Sequence, residues 1–269
     1  MFSVKNAYEE VAMKVGLCLG AGGVRGMGHI GMLEVLEENG LHFDMVSGSS
    51  AGSIVGACYA AGVSVARMKE KLFSLKQWDI MDLNLTALRT NGVINGNKIC
   101  NIIRDLTGDI DISECRIPFV SVCVDIVSAK TVYIDSGKLI DAVRPSFAVP
   151  GVFSAVEKDG MLLVDGGVKE RMPVKILREK GMDRVLALNC CTDLIPIKRP
   201  HNIPLHVARA FDIMDWELCK HTLKEADYLV NMERGSEVVY YKISEAKKAY
   251  ELGREAILPH IEEIKKLFV

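Results

Sequence analysis

The segment Phe43–Gly52 constrains the chain most, because an apolar strand pattern runs directly into the pentapeptide Gly48-Ser49-Ser50-Ala51-Gly52. In a G-x-S-x-G pentapeptide the serine sits at a sharp strand-to-helix turn, where glycine on each side avoids a side-chain clash. The apolar helical pattern that follows supplies an N-terminus whose dipole favours a developing negative charge. We therefore interpret the segment as a nucleophile elbow with Ser50 as nucleophile. A glycine-flanked serine is also typical of purely structural turns, so the pentapeptide alone does not decide.

A glycine-rich loop follows the first predicted strand. Val15–Leu19 is typical of a buried strand and runs into Gly20-Ala21-Gly22-Gly23-Val24-Arg25-Gly26, after which the spacing is helical. Such glycines let successive backbone N–H groups point into one concavity at a helix N-terminus, where an anion can bind. Two interpretations compete, a dinucleotide-binding turn and an oxyanion hole for acyl transfer. A dinucleotide turn needs its third glycine where Arg25 stands, and a register that begins at Ala21 loses the first glycine.

A third turn carries a carboxylate. A short apolar strand pattern over residues 160–164 ends in Asp165-Gly166-Gly167. Alone, this tripeptide is typical of a turn, since aspartate bonds its own backbone and glycine supplies positive φ. Each of the three segments, however, follows the end of a predicted strand, and open α/β sheets place their sites at the carboxyl ends of strands. Asp165 is therefore a candidate base.

In this order the three motifs resemble those of the patatin-like phospholipase family, whose members carry a glycine-rich Arg-Gly loop, a G-x-S-x-G elbow and an Asp-Gly-Gly or Asp-Gly-Ala motif. The likeness runs from about Val15 to the strand near Leu188. It includes the stretches Gly28–Gly31, Arg144–Phe153 and Val168–Pro173. One departure is visible, because Ala21 stands where the family usually has the first glycine of three. The resemblance implies a three-layer α/β/α fold with a mostly parallel central sheet.

The resemblance also implies the site residues. Ser50 would be the nucleophile and Asp165 its base partner. The backbone amides of Gly22, Gly23, Val24 and Arg25 would form the oxyanion hole. The glycines that support these motifs are Gly20, Gly26, Gly48, Gly52, Gly166 and Gly167.

The implied activity is that of a serine lipid acyl hydrolase, of phospholipase A or lysophospholipase type, acting through covalent acyl transfer without cofactor or metal. Its partner would be a lipid or fatty-acyl ester, with transient contact with a membrane surface. A soluble carboxylesterase or thioesterase would use the same dyad. A non-catalytic module that binds a phosphorylated ligand would need the glycine loop alone.

Four histidines keep a Ser-Asp-His triad possible. His201, His206, His221 and His260 all follow Asp165, in the Ser, Asp, His order of other hydrolases. We favour a Ser-Asp dyad, since none of these four lies in a glycine-rich strand end. His29 follows the glycine loop and could orient it through a hydrogen bond, but a structural role is favoured for it.

The composition fits one domain over residues 1–269, with a core at about 15–190 and a helical and strand extension at about 200–269. The chain has 269 residues and 49% hydrophobic content, enough for one large core. The formal charge of −2 gives no basic field for nucleic acid. Without an apolar run that spans a membrane, the chain is expected to be cytoplasmic, at most peripheral to a membrane.

Hydrophobic periodicity predicts alternating strands and helices. Strands are predicted near 15–19, 43–47, 117–124, 131–134, 161–164, 184–189, 227–231 and 237–242. Helices are predicted at 27–38, 51–61, 64–75, 97–106, 138–144, 174–180, 205–224 and 244–267. Residues 120–134 are expected to form a hairpin with Ser128-Ala129-Lys130 as its turn, and Pro259 to kink or divide the last helix.

Lys76–Ile94 is the candidate for a mobile cover. It carries Trp78 and other apolar residues among polar ones with weak periodicity, as a lid or an acyl-channel wall would. An ordinary packed loop has the same composition, so both interpretations stay open.

Overall fold

The apolar strand patterns form one eight-stranded sheet in the computed structural model, which describes residues 13–83, 92–191, 196, 199, 203–239 and 241–269. The strands are β1 (Val15–Leu19), β2 (Met45–Ser49), β3 (Phe119–Asp125), β4 (Lys130–Ile134), β5 (Val156–Lys158), β6 (Met161–Asp165), β7 (Arg184–Asn189) and β8 (Tyr228–Asn231). Their order is β5-β6-β3-β2-β1-β7-β8, and β4 pairs with β3. The neighbours from β3 to β8 in this order run parallel, while β4, β5 and β6 pair antiparallel.

Helices follow most of these strands. They are α1 (Gly28–Glu38), α2 (Ala51–Ala60), α3 (Val65–Ser74), α4 (Gln77–Ile80), α5 (Asn97–Thr107), α6 (Leu139–Ser146), α7 (Val174–Glu179), α8 (Ile203–Thr222), α9 (Ala246–Ile257) and α10 (Ile261–Lys265). Short 3-10 turns at Gly23–Met27 and Gly166–Val168 follow β1 and β6.

The sheet has helices on both faces, because side chains alternate along each strand. Leu17 and Leu19 of β1 pack in one apolar cluster with residues of α1, α2, α3, α5, α6 and α9. Cys18 points the other way, into a second cluster with Leu177 of α7 and Cys219 of α8. The architecture is therefore a three-layer α/β/α fold around a mostly parallel sheet, and the expected fold class is confirmed.

Helices α1 and α9 approach closely enough to require glycine at their contact. A Cβ added to Gly31 would lie 2.1 Å from the Tyr250 carbonyl oxygen, and one added to Gly253 would lie 2.1 Å from the Gly28 carbonyl oxygen. Glu34 of α1 also accepts hydrogen bonds from Tyr250 and Arg254 of α9. Helix α9 is thus held against α1, the helix that follows the glycine loop.

Two local predictions are confirmed. β3 and β4 form the expected hairpin, with Ala129 in its turn at a φ of 55°. Helix α9 ends at Ile257, and the turn Leu258–His260 that contains Pro259 separates it from α10. None of the described helices is long and apolar enough to cross a membrane.

The sequence predicts a strand over 237–242, and this prediction is wrong at its described positions; residue 240 lies outside the described residues. A 3-10 turn occupies Glu233–Glu237, and Val238 follows it as a single buried side chain. Gly235 packs against the end of β7, where an added Cβ would lie 2.4 Å from the Cys190 carbonyl oxygen. The Val238 carbonyl accepts a hydrogen bond from Arg25. Val238 therefore packs against other parts of the fold without joining the sheet, so its β-propensity has no pleated surface to fit.

Gly31→Ala is expected to destabilise the fold by about 1–3 kcal/mol, because the added methyl group meets backbone that cannot move without separating α1 and α9. Urea unfolding followed by circular dichroism measures the change. Glu251→Ala, at an exposed position of α9, is the control and is expected to stay within about 0.5 kcal/mol of the unmodified protein. Equal stability of the two variants would contradict the close helix contact.

Candidate active site

Ser50 lies in the strained turn that the pentapeptide predicts. It caps α2 directly after β2, with φ 54° and ψ −122°, a region that costs a non-glycine residue of order 1–3 kcal/mol. Close packing explains the flanking glycines. A Cβ on Gly52 would lie 2.1 Å from the Leu19 carbonyl oxygen, and one on Gly48 would lie 2.6 Å from the Gly52 carbonyl oxygen. Ser50 itself is 7% exposed.

Strand β3 brings Asp165 to this turn. Val122 of β3 pairs with Ser49, the last residue of β2, and the next residue, Cys123, pairs with Asp165, the last residue of β6. Because β4 pairs with all of residues 121–125, β2 and β6 share the opposite edge of β3. Asp165 therefore stands in line with the end of β2, one position beyond Ser49.

The two side chains meet there. Ser50 Oγ donates a hydrogen bond to Asp165 Oδ2 at 2.6 Å. The other carboxylate oxygen, Oδ1, accepts from the Gly167 N–H at 2.7 Å, which fixes the carboxylate plane. Asp165 is 4% exposed, and its N–H donates to the Ala148 carbonyl at 3.0 Å. This arrangement allows a carboxylate to take the serine proton directly.

The two glycines of the Asp-Gly-Gly motif differ in their surroundings. A Cβ on Gly166 would lie 2.5 Å from the Val122 carbonyl oxygen and 2.6 Å from Ser49 Oγ. A Cβ on Gly167 would lie 3.0 Å from Asp165 Oδ1. Gly166 is thus needed for packing against the elbow, whereas Gly167 supplies the amide that holds the carboxylate.

The glycine loop lies beside the elbow, because β1 and β2 are parallel neighbours. Gly26 faces the first residue of α2, where an added Cβ would lie 2.4 Å from the Ala51 Cβ. The loop is fixed at its start, since Gly20 N–H donates to the Leu188 carbonyl and Ala21 N–H to the Arg171 carbonyl. Gly23 has a φ of 56° and opens the 3-10 turn.

The hydrogen bonds of the loop amides reduce the number of candidate donors for the predicted oxyanion hole. Arg25 N–H donates to the Gly22 carbonyl at 3.1 Å, so this amide is already used. The amides of Gly22, Gly23 and Val24 have no acceptor within the described part of the chain. They stay candidates as oxyanion donors. The Arg25 side chain turns away, with Nε donating to the Val238 carbonyl at 3.1 Å and Nη1 lying 3.8 Å from Cys191 Sγ.

His29 binds the first residue of the glycine loop. Its Nε2 is 2.9 Å from the Gly20 carbonyl oxygen, which can only accept, so Nε2 carries the proton. Its Nδ1 is 3.3 Å from Cys190 Sγ and accepts from that thiol. Complete burial lowers the pKa of His29 to about 4, against the hydrogen bond to Gly20, which raises it. The ring is therefore neutral at pH 7 and positions the Gly20 carbonyl, in agreement with the structural role expected for it.

The other described histidines do not join Ser50 and Asp165. His206 is exposed on α8, and His260 Nδ1 lies 2.8 Å from the Tyr228 hydroxyl. His201 lies outside the described residues, and so does the side chain of His221. Among the described ranges no group of three or more His, Cys, Asp or Glu side chains is placed to hold a metal ion. That the reaction needs no cofactor stays a prediction.

Sequence reasoning missed Ser146. Its hydroxyl is buried and lies 3.0 Å from the Ser50 amide nitrogen. The only sequence signal for it is its position within Arg144–Phe153, one of the stretches that carry the family resemblance. A serine near the end of a helix has no spacing pattern that would single it out.

The predicted lid is described at its two ends, and residues 84–91 lie outside the described residues. Leu83 and Ile94 form an isolated bridge, and Asp82 accepts hydrogen bonds from the amides of Gly96 and Asn97, so these two described ends lie side by side. Trp78, on the short helix α4, is 72% exposed. Ile94 also bridges to Phe153, so this end of the predicted lid adjoins the segment that follows α6.

Comparison with known proteins gives a family match. The model of the family described as "Patatin-like phospholipase" matches residues 17–178, which contain the loop, the elbow and Asp165. This chain belongs to the patatin-like phospholipase family. The family match ends within α7, before β7.

Relatives of the patatin-like chain include larger proteins. It is 35% identical over 176 residues to an NTE family protein of Mycobacterium tuberculosis, covering 65% of this chain and 49% of that protein. It is 33% identical over 181 residues to neuropathy target esterase sws of Drosophila melanogaster, covering 65% of this chain and 13% of that protein. The chain thus spans half or less of the length of these curated relatives.

A solved structure supports the same fold. The crystal structure of VipD from Legionella pneumophila superposes with a TM-score of 0.50 at 14% identity, covering 94% of this chain and 67% of that chain. At this identity the likeness concerns the fold alone.

The buried neutral His29 predicts a pH dependence of stability. Because its pKa is about 4 in the folded protein and 6.5 for an unperturbed imidazole, the folded protein binds fewer protons, so stability is lost as pH falls from 6.5 towards 4. The variant His29→Gln does not titrate and keeps a hydrogen-bond donor. Over this pH range its free energy of unfolding is expected to fall by on the order of 3 kcal/mol less than that of the unmodified protein. Urea unfolding at pH 7 and pH 4 measures the difference, and identical losses would contradict it.

Proposed function

We propose that the protein is a serine lipid acyl hydrolase, of phospholipase A or lysophospholipase type, that cleaves carboxylic esters through a Ser50–Asp165 dyad. The observation that carries the proposal is the 2.6 Å hydrogen bond between two buried side chains, one of them on a strained elbow. A buried turn with a purely structural serine needs neither the strain nor the carboxylate. Membership of the patatin-like phospholipase family supports the same substrate class.

The proposed reaction begins with attack of Ser50 Oγ on the ester carbonyl carbon while its proton passes to Asp165 Oδ2. The carbonyl oxygen becomes negative, and the amides of Gly22, Gly23 and Val24, together with the N-terminus of α2, stabilise it. Asp165 then gives the proton to the leaving alcohol. The Gly167 N–H keeps Oδ1 occupied, so a single carboxylate oxygen faces the serine in each proton transfer.

Water completes the cycle. It attacks the acyl-Ser50 ester while Asp165 takes its proton, the same amides stabilise the second oxyanion, and Ser50 recovers its proton as the fatty acid leaves. Each N–H donor is commonly worth about 2.7–4 kcal/mol of barrier. The protein's own residues therefore account for both half-reactions.

Exposed apolar side chains near the site support contact with a lipid surface. Val168 follows the Asp165 turn and is 37% exposed, and Val149 and Val152, beyond the Ala148 carbonyl that holds Asp165, are 37% and 43% exposed. Val93 is 50% exposed, and its amide donates to the Val152 carbonyl. These residues are suited to receive an acyl chain that leaves an aggregate. We propose that this rim contacts lipid during turnover.

Helix α8 extends this apolar surface. Its residues Phe211, Met214 and Leu218 are 45%, 60% and 49% exposed and share one face at helical spacing. The helix contacts the turn Gly166–Val168. Exposed apolar side chains on both α8 and the rim favour aggregated lipid over a small dispersed ester, which is the substrate expected of a soluble carboxylesterase or thioesterase.

Ser50→Ala and Asp165→Asn are each expected to lower the rate of ester hydrolysis at least about 1000-fold, because the first removes the proposed nucleophile and the second its base. Intact-mass analysis after reaction with a fluorophosphonate is the second measurement. We expect one adduct, on Ser50, that Ser50→Ala abolishes and Asp165→Asn slows strongly. Circular dichroism confirms that each variant is folded.

Ser49→Ala is the matched control, since Ser49 is adjacent, buried and without a hydrogen-bond partner for its hydroxyl among the described residues. It is expected to keep both hydrolysis and labelling. A hydrolysis rate that does not depend on Ser50 would overturn the dyad. Turnover of short dispersed esters without turnover of phospholipid vesicles would favour the esterase instead.

Trp78 reports on the proposed lipid contact. In a Trp216→Phe background, the emission of Trp78 is expected to shift to shorter wavelength when phosphatidylcholine micelles are added, because its exposed ring would leave water. Trp78→Phe serves as the control for scattering and for other fluorophores. An unshifted spectrum from a protein that hydrolyses the same micelles would exclude α4 from the contact.

A further inference from the structure

One short segment, Ser146–Ala148, contacts both members of the dyad. Ser146 is the last residue of α6, and its hydroxyl accepts a hydrogen bond from the Ser50 N–H at 3.0 Å. Two residues later, the Ala148 carbonyl accepts from the Asp165 N–H at 3.0 Å. Ser50 follows β2 and Asp165 ends β6, 115 residues apart in the chain. The segment therefore joins the two backbones whose separation sets the Ser50–Asp165 distance.

The direction of each hydrogen bond at Ser146 is fixed. A backbone N–H can only donate, so the Ser146 oxygen accepts from Ser50. The Ser146 hydroxyl proton is then free for the Val122 carbonyl oxygen, which can only accept and lies 2.5 Å away. Val122 pairs with Ser49 and adjoins the residue that pairs with Asp165. Ser146 thus connects the elbow to the position on β3 where the two strand ends meet.

The Ser50 amide needs such a partner. Ser50 caps α2, and amides at a helix N-terminus have no acceptor within the helix. Ser50 also adopts a φ of 54°. Such a strained backbone conformation persists only where contacts with the surrounding structure outweigh its energetic cost. Ser146 is fully buried, so water does not compete for either bond.

We propose that Ser146 is a positioning residue for the reaction, whose hydroxyl holds the Ser50 backbone in the conformation that aims Oγ at Asp165. The inference rests on the proposed function, because it gives Ser146 no role if Ser50 is not the nucleophile. Ser146 does not touch the reacting atoms. Its loss lets the elbow relax, and a displacement of about 1 Å can lower a rate by roughly 100-fold.

Ser146→Ala tests the proposal through the split between kcat and KM. Because the substrate surface is unchanged, KM for a short dispersed ester is expected to stay constant while kcat falls by about 10- to 100-fold. The rate of fluorophosphonate labelling at Ser50 is expected to fall by the same factor. Ser146→Thr keeps the hydroxyl and is expected to recover most of the labelling rate.

Ser47→Ala is the matched control. Ser47 is also fully buried and also donates its hydroxyl to a carbonyl, that of Pro173 at 2.7 Å, but it has no contact with the dyad. We expect it to lose as much thermal stability as Ser146→Ala and to label at the unmodified rate. If Ser146→Ala does not fold, Ser146→Cys replaces it, since a thiol is a weaker acceptor and predicts an intermediate fall.

The outcomes separate this inference from the proposed function. Labelling of Ser146→Ala at the unmodified rate overturns the positioning role while the dyad stands. Equal loss of labelling in Ser146→Ala and Ser47→Ala also overturns it, because the effect would then follow stability alone. Absence of labelling and hydrolysis in the unmodified protein and in Ser47→Ala overturns the proposed function, and the positioning role with it.

Discussion

The shared edge of β3 is the constraint on which the site depends. Along this edge the pairing partner changes between two consecutive residues, from Ser49 at Val122 to Asp165 at Cys123. A shift of one residue in either register would turn every side chain of that strand to the opposite face of the sheet. The meeting of Ser50 and Asp165 is therefore set by backbone pairing before any side chain is considered. This explains how a hydrogen bond of 2.6 Å forms between residues so distant in sequence.

Close packing then fixes the parts around that edge. Gly52 lies against the end of β1, Gly26 against the start of α2, and Gly166 against Ser49. Each of these contacts would be blocked by a Cβ, so the loop, the elbow and the carboxylate turn share one tightly packed region. The C-terminal part of the chain supports it from outside, because Arg25 donates to Val238 and α9 packs on α1. The family match ends at residue 178, yet the support extends beyond it.

Much of this arrangement can be predicted from sequence, for physical reasons. Glycine at both sides of Ser50 has a local cause, and the alternation of strand and helix patterns predicts the sheet to which the turn belongs. The strand predicted over 237–242 fails because its propensity is local while its use is tertiary, as the docking of Val238 shows. Ser146 has no spacing pattern that predicts its role for the same reason, since that role depends on which strand ends the sheet brings beside it. The Arg25 amide is a third case, because only the 3-10 turn shows that it already bonds to Gly22.

Burial has two opposing consequences in the proposed mechanism. With Ser50 7% and Asp165 4% exposed, the hydrogen bond between them is protected from water, and a carboxylate can act on the serine without an imidazole between them. The same burial requires that substrate reach the serine through apolar surroundings. The exposed valines that follow the Asp165 turn and the Ala148 carbonyl stand at the boundary between these requirements. The acyl chain of the proposed lipid substrate would satisfy both requirements, because it would exclude water from the dyad as it enters.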